Sequence, residues 1–262
     1  LVGRTGSGKT TQMWTLPGRK FAYIFDPNSL KSLQGLDLEY ELFLPDLLEM
    51  DATLKGFNKG ARDDSLKGSK REPMVYMDWV EDINRKVEEG FFEQFDWLCF
   101  DSGTFLAKAV MARQLFINNR YGSIEDLGDY RVVGSKLTEV FQSITAMPIN
   151  IFMTGHIDTF QDEKTKKIDT LIKLPGSSRQ MLPLMFTDIW KAEVGEDKEG
   201  RRIFEVVTMP EPRGLQDIRC SVPGLEAIED VTIRDFSRPT DFGVGALLQQ
   251  SQPVQPKKRA GK

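Results

Sequence analysis

The sequence predicts an α/β fold, a mostly parallel sheet flanked by helices, with antiparallel hairpins toward its C-terminal end. Three observations carry this. A glycine-rich loop, Gly3 to Thr10, follows an apolar dipeptide and opens onto a helical pattern. Three apolar runs, 21–26, 95–101 and 149–154, have the form of buried parallel strands that deliver polar residues to one edge of a sheet. Beyond residue 157 the chain changes to short segments around polar turns, which is a hairpin pattern.

The bulk properties set the frame. With 262 residues, 40% hydrophobic and 28% charged, the chain is long enough for one sizeable α/β domain. No run approaches about 18 uninterrupted apolar residues, so no membrane span is expected. Cys99 and Cys220 form neither a disulfide framework nor a metal-type spacing, and Cys99 sits in an apolar run as core packing. A reducing, cytoplasmic compartment fits that usage. The net charge of −4 does not mark a nucleic-acid binder, although fields act locally.

The elements follow in order. Leu1 and Val2 have the length of a strand end only, so the first strand is expected to be truncated, with the natural chain starting upstream. Phe21 to Asp26 reads as a buried strand ending in a carboxylate, and 40–44 as a short strand. Residues from about 50–73 are rich in Lys, Arg, Gly and Asp and read as a mobile insertion. Met77, Val80, Ile83 and Val87, three and four apart, predict a helix over 77–89. Phe95 to Asp101 is the next strand, followed by helices at about 104–118 and 129–146. Ile149 to Thr154 is a third strand, ending at Gly155 and His156. Hairpins are expected over 157–174, around Asp162 to Lys167, and over 188–208, around Gly195 to Gly200. The domain is therefore read as 1–235, and 236–262 as a disordered basic tail that ends in Pro256-Lys257-Lys258-Arg259.

The chemistry begins at Gly3-Arg4-Thr5-Gly6-Ser7-Gly8-Lys9-Thr10, which fits G-x-x-x-x-G-K-[ST] at every required position. A loop that wraps phosphate with its backbone N–H groups needs glycines, because they accept positive φ and allow close approach. The helix that begins near Lys9 turns its positive dipole end toward the anion. Lys9 is expected to reach the β- and γ-phosphates of ATP, and Thr10 to hold Mg²⁺. Such a site needs an acid at a neighbouring strand end. Asp101 has that form, and with Ser102 it also suits a helix N-cap. Asp26 reads either as a group that orients water or Mg²⁺ or as a turn cap before Pro27. His156, the only histidine, follows a strand at the expected ligand edge. It reads either as a γ-phosphate sensor or as a hydrogen-bonded loop histidine.

This order of loop, Asp26 strand, Asp101-Ser102 strand and Gly155-His156 strand, followed by hairpins, resembles the RecA-like ATPases. More narrowly it resembles the phage-encoded AAA-domain nucleotide-binding proteins, which include RecA-like single-strand-annealing recombinases. The resemblance covers about residues 1–225 and implies a RecA-like P-loop NTPase core that binds ATP and Mg²⁺. It implies that Asp101 is the Walker B acid and that His156 passes the state of the γ-phosphate to a DNA-binding loop. Residues 157–180, with Lys164, Lys166, Lys167, Lys173 and Arg179, would hold that loop. Arg213, in Pro212-Arg213-Gly214, is the candidate for contact with a neighbouring subunit's ATP, or a surface arginine. A homo-oligomer and single-stranded DNA as partner are implied in the same way, as is a host-cell cytoplasmic location if the protein is phage-encoded. One departure matters. RecA-like proteins carry a catalytic glutamate two residues after the strand-end aspartate, and here Asn28 stands in that place. Asparagine cannot act as a carboxylate base but can position a water, so either hydrolysis is slow or another acid supplies the base.

The β-rich C-terminal half differs from the helical lid of an ordinary AAA+ machine. Two other readings stay open: a regulatory ATP-binding module without significant hydrolysis, and a small-molecule kinase with Arg201 and Arg202 as lid arginines. The basic residues of the insertion, Lys55, Lys59, Arg62, Lys67, Lys70 and Arg71, read either as a backbone groove or as a solvated loop diluted by Asp51, Asp63 and Asp64. Tyr121 and Phe160 lie in or near loops and suit either stacking or packing.

Overall fold

A computed structural model describes residues 1–45, 72–161, 168–210 and 214–250. The strands are β1 (Val2–Gly3), β2 (Lys20–Ile24), β3 (Glu39–Leu42), β4 (Trp97–Asp101), β5 (Asn150–Met153), β6 (Gly155–Gln161), β7 (Ile168–Ile172), β8 (Lys191–Glu196), β9 (Arg202–Val207) and β10 (Ile228–Asp230). The helices are α1 (Lys9–Thr15), α2 (Ser29–Leu33), α3 (Val75–Glu88), α4 (Gly103–Ile117), α5 (Leu127–Thr145), α6 (Ser178–Met181) and α7 (Gly243–Gln249). The expected insertion falls largely on 46–71, outside the described residues, as do the turn at 162–167, Arg213 and the terminal 251–262.

Four strands form a parallel sheet in the order β3-β2-β4-β5. Six more lie in the order β10-β9-β8-β1-β6-β7, in which β1 is parallel to β6 and β8 while β7, β9 and β10 are antiparallel additions. Only Thr154 separates β5 from β6. Its N–H donates to Phe100 O on one side, and the next N–H, of Gly155, donates to Leu1 O on the other. The two sheets thus meet at this segment, which places one strand between the loop strand β1 and the Asp101 strand β4.

The period-two alternation of the strands assigns different residues to the two faces. Phe21, Tyr23, Phe25, Leu98 and Phe100 join one core with Trp79 and Ile83 of α3, Leu106 and Val110 of α4, and Val133, Leu137 and Phe141 of α5. Ala22, Ile24 and Cys99 face the other core with Met13 and Leu16 of the α1 region and Val244 and Leu247 of α7. The first face is built of large aromatic rings in edge contacts, such as Tyr23 with Trp79 and with Phe92. The second has the small Ala22 and Cys99 at its centre, fully buried, so α1 can lie close to the sheet. Burial also pushes the Cys99 thiol pKa up, as expected of an inert core cysteine.

Two sequence expectations are corrected. Helix α3 forms where the periodicity puts it, but Met77 and Val87 are exposed and the buried stripe is Trp79, Ile83 and Lys86. The large aromatic wins the core position, and Lys86 follows it inward because Asp82 and Glu41 pair its ammonium, which also lies over the rings of Phe21 and Tyr23. Residues 236–250, read as the start of a disordered tail, are described as folded. Helix α7 lies against α1, where Gln12 Oε1 accepts from Val244 N at 2.8 Å and Thr15 Oγ1 from Gly245 N at 2.9 Å. A β-carbon at Gly245 would collide with the Thr15 carbonyl. Gly245→Ala is therefore expected to destabilise the fold by about 1–3 kcal/mol, read as a lowered thermal midpoint. An unchanged midpoint would mean that α7 does not stay docked.

Candidate functional site

The carboxyl ends of β1, β4 and the β5–β6 segment meet beneath the loop at Gly3 to Thr10. Gly6 and Gly8 adopt φ of 80° and 81°, the left-handed region that the loop's turn requires. Gly8 has a second constraint, because a β-carbon there would stand 2.8 Å from a ring carbon of Phe204. Lys9 is buried, and its Nζ donates to Gly3 O at 3.1 Å, Arg4 O at 2.7 Å and Ser7 Oγ at 3.5 Å. Burial holds the Lys9 pKa below its ordinary value, and the Asp101 and Asp26 carboxylates pull it back upward.

Asp101 is the hub. Its Oδ2 accepts from Thr10 Oγ1 at 2.8 Å and from Ser29 Oγ at 2.5 Å, and its Oδ1 accepts from Thr154 Oγ1. The carboxylate is thus turned to the loop and not to its own helix. Ser102 holds the N-cap position of α4 without a side-chain capping bond. Thr10 and Asp101 are hard oxygen donors, the set that suits Mg²⁺, which commonly takes one or two protein oxygens and completes its shell with phosphate and water. Among the described residues no three His, Cys, Asp or Glu side chains gather to cage a metal.

The polar end of the site lies past Asp101. The backbone N–H groups of Phe25 and Asp26 donate to Asp101 O, which brings the end of β2 alongside. Asp26 is buried, and its Oδ1 accepts from the Asn28 backbone N–H at 2.9 Å and from Asn28 Nδ2 at 3.1 Å. Asn28 therefore holds Asp26. His156 Nε2 lies 3.7 Å from Asp26 Oδ2. Burial, with Lys9 nearby, holds the imidazole pKa below its ordinary 6.5, so the ring is neutral at neutral pH. The His156 backbone N–H donates to Thr104 Oγ1 at 2.9 Å, and its carbonyl accepts from the Lys173 N–H.

Lys9, Thr10, Asp101, Asn28 and His156 thus line one cleft of about 410 Å³, with Thr5, Gly6, Ser7 and Gly8. Gly3 lies beneath the loop, and Arg4 opens onto an adjoining cleft of about 410 Å³ that also holds Lys108, Lys173 and His156. Lys164, Lys166, Lys167 and Arg213 lie outside the described residues. Arg179 places its guanidinium 6.0 Å from the ring of Phe160. Arg201 is tied within its turn to Asp197 and Glu199.

Sequence reasoning missed three contributors. Ser29 and Thr154 hold Asp101, and Thr104 holds His156. Of these only Thr154 left a sequence signal, a hydroxyl at the end of an apolar run. Arg202, read only as a lid arginine of a kinase, has its Nη2 donating to Gly6 O at 2.7 Å while its guanidinium covers the Phe204 ring at 4.9 Å.

A largely parallel sheet, a glycine-rich loop around a buried lysine, and a strand-end aspartate bonded to the loop's threonine define a nucleotide-binding P-loop NTPase domain. The chain belongs to the AAA-domain family, whose model matches residues 1–211. A search of curated proteins finds no match. Among the described residues no helix is long and apolar enough to cross a membrane.

Proposed function

We propose that the protein binds ATP with Mg²⁺, hydrolyses it slowly, and couples the nucleotide state to single-stranded DNA in phage recombination or replication. The family match supports the nucleotide. The observation that carries the coupling is the position of His156. It lines the phosphate cleft, and its carbonyl accepts from the backbone N–H of Lys173, directly across from it at the open end of the β6–β7 hairpin. Lys173, Lys108 and Arg4 share the adjoining cleft with it. These cations suit a sugar-phosphate backbone, which is recognised mainly by charge. The RecA-like resemblance supports the same direction of signalling, and a homo-oligomer with it.

In this reading Lys9 and the loop amides hold the phosphates, and Thr10 and Asp101 hold Mg²⁺. The bound cation would neutralise phosphate charge as it develops. Asp26 is the carboxylate nearest the expected γ-phosphate end, and Asn28 sets its orientation. Asp26→Asn is accordingly expected to lower turnover by about 10²-fold or more, in the range of general base loss. Asn28→Ala should lower it only several-fold. Equal turnover in Asn28→Ala and in a distant surface variant would remove Asn28 from the mechanism.

The test is ATP hydrolysis by the whole chain with and without single-stranded DNA, beside Lys9→Ala. DNA stimulation that Lys9→Ala abolishes is the expected result. Tight ATP binding with no response to DNA would overturn the coupling. It would leave a regulatory ATP-binding module, a reading that Asn28 in the glutamate's place favours. Phosphoryl transfer to an added small acceptor, indifferent to DNA, would instead support a kinase.

A further inference from the structure

The cleft over the phosphate loop has a second end, which the phosphates do not explain. There Phe204 of β9 and Thr232, Ile233 and Phe236, from the segment after β10, line the wall. We propose that Phe204, Ile233 and Phe236 form the seat of the nucleobase, with Phe236 as its stacking platform. The proposal rests on the nucleotide reading above and adds where the base lies.

Direction comes first. The polar end holds Asp26, Asp101 and His156, which suits the terminal phosphate and its cation. The loop fixes the phosphate chain at the start of α1, where Thr11 and Gln12 also line the cleft. A triphosphate laid along this path carries its base to the apolar end.

The seat is also built to stay in place. Phe236 is 59% exposed, yet its ring is stacked on Trp14 at 5.7 Å with 30° between the planes. Trp14 belongs to α1, the helix that begins with Lys9. Gln12 Nε2 donates to Val231 O at 2.9 Å, which fastens the segment to the same helix. Phe204 lies against Gly8, and Thr232 Oγ1 accepts from Phe204 N at 2.8 Å. The hydroxyl is thus used to hold the wall together. What the seat offers a ligand is ring and aliphatic surface, with the Arg202 guanidinium over the Phe204 ring, the chemistry that takes a flat heteroaromatic base.

The test compares ATP with tripolyphosphate, which carries the phosphates without a base, both with Mg²⁺ and by calorimetric titration of the whole chain. Phe236→Ala is expected to weaken ATP binding about tenfold and to leave tripolyphosphate binding within about twofold. Phe236→Trp, which keeps a stacking ring, should bind ATP as the wild type does. Circular dichroism checks that both variants stay folded. Unchanged ATP affinity in Phe236→Ala would overturn the seat, and so would equal losses for both ligands, which would signal a disturbed loop. Wild-type chain that binds tripolyphosphate as tightly as ATP would overturn the seat while the phosphate site stands. Wild-type chain that binds neither would overturn both.

Discussion

Lys9→Ala lowers ATP affinity by about 100-fold, the expected result with the largest effect on binding. The side chain is the buried cation of the loop, and hydrogen bonds to charged groups contribute about 1.5–3 kcal/mol each. Loss of about 2.7 kcal/mol corresponds to about 100-fold. The ammonium is held in the loop by two carbonyls, Gly3 O and Arg4 O, and by the Ser7 hydroxyl. Fluorescence titration gives the affinity, and thermal unfolding with and without ATP gives an independent check. At the same ATP concentration the midpoint of the wild-type protein should rise well above the rise seen for Lys9→Ala. Equal protection of both proteins would mean that the phosphates bind elsewhere.

If Asp101 holds Mg²⁺ as proposed, Asp101→Asn is expected to lower turnover by about 10²-fold or more through weakened use of the cation. The substitution is nearly isosteric. The three hydroxyls around it, on Thr10, Ser29 and Thr154, can rotate to donate or accept, so the fold should persist. What is lost is the charge that the cation needs. Hydrolysis measured against Mg²⁺ concentration should need far more metal in the variant, while circular dichroism stays that of the parent. A variant with the parent's Mg²⁺ dependence would remove Asp101 from the cation's shell.

Much of this arrangement was legible in the chain itself. The loop was readable because its glycines and lysine have fixed spacing. The strands at β2 and β4 were readable because parallel strands buried on both faces are apolar throughout. The buried stripe of α3 was not, because four aliphatic residues at helical spacing gave a plausible face while Trp79 and the paired Lys86 occupied the real one. Helix α7 was hidden by its glycines, which propensity counts against a helix. Here they allow the backbone to approach Thr15. Ser29 was invisible for a different reason. Its bond to Asp101 depends on how β2 and β4 pair, and register is a property of two segments that neither carries alone.

Gln12 has a consequence for where this domain may be cut. Its one amide group ties the phosphate-binding helix to Val231 and to Val244. The family match stops at residue 211, short of both. A chain ended there would retain every loop residue, yet it would strip the back of α1 and expose Met13 and Leu16, which pack in one core with Val231, Val244 and Leu247. The folded unit is therefore longer than the matched one. Recombination or engineering that exchanges the segment after 211 would replace the support of the helix on which Lys9 stands.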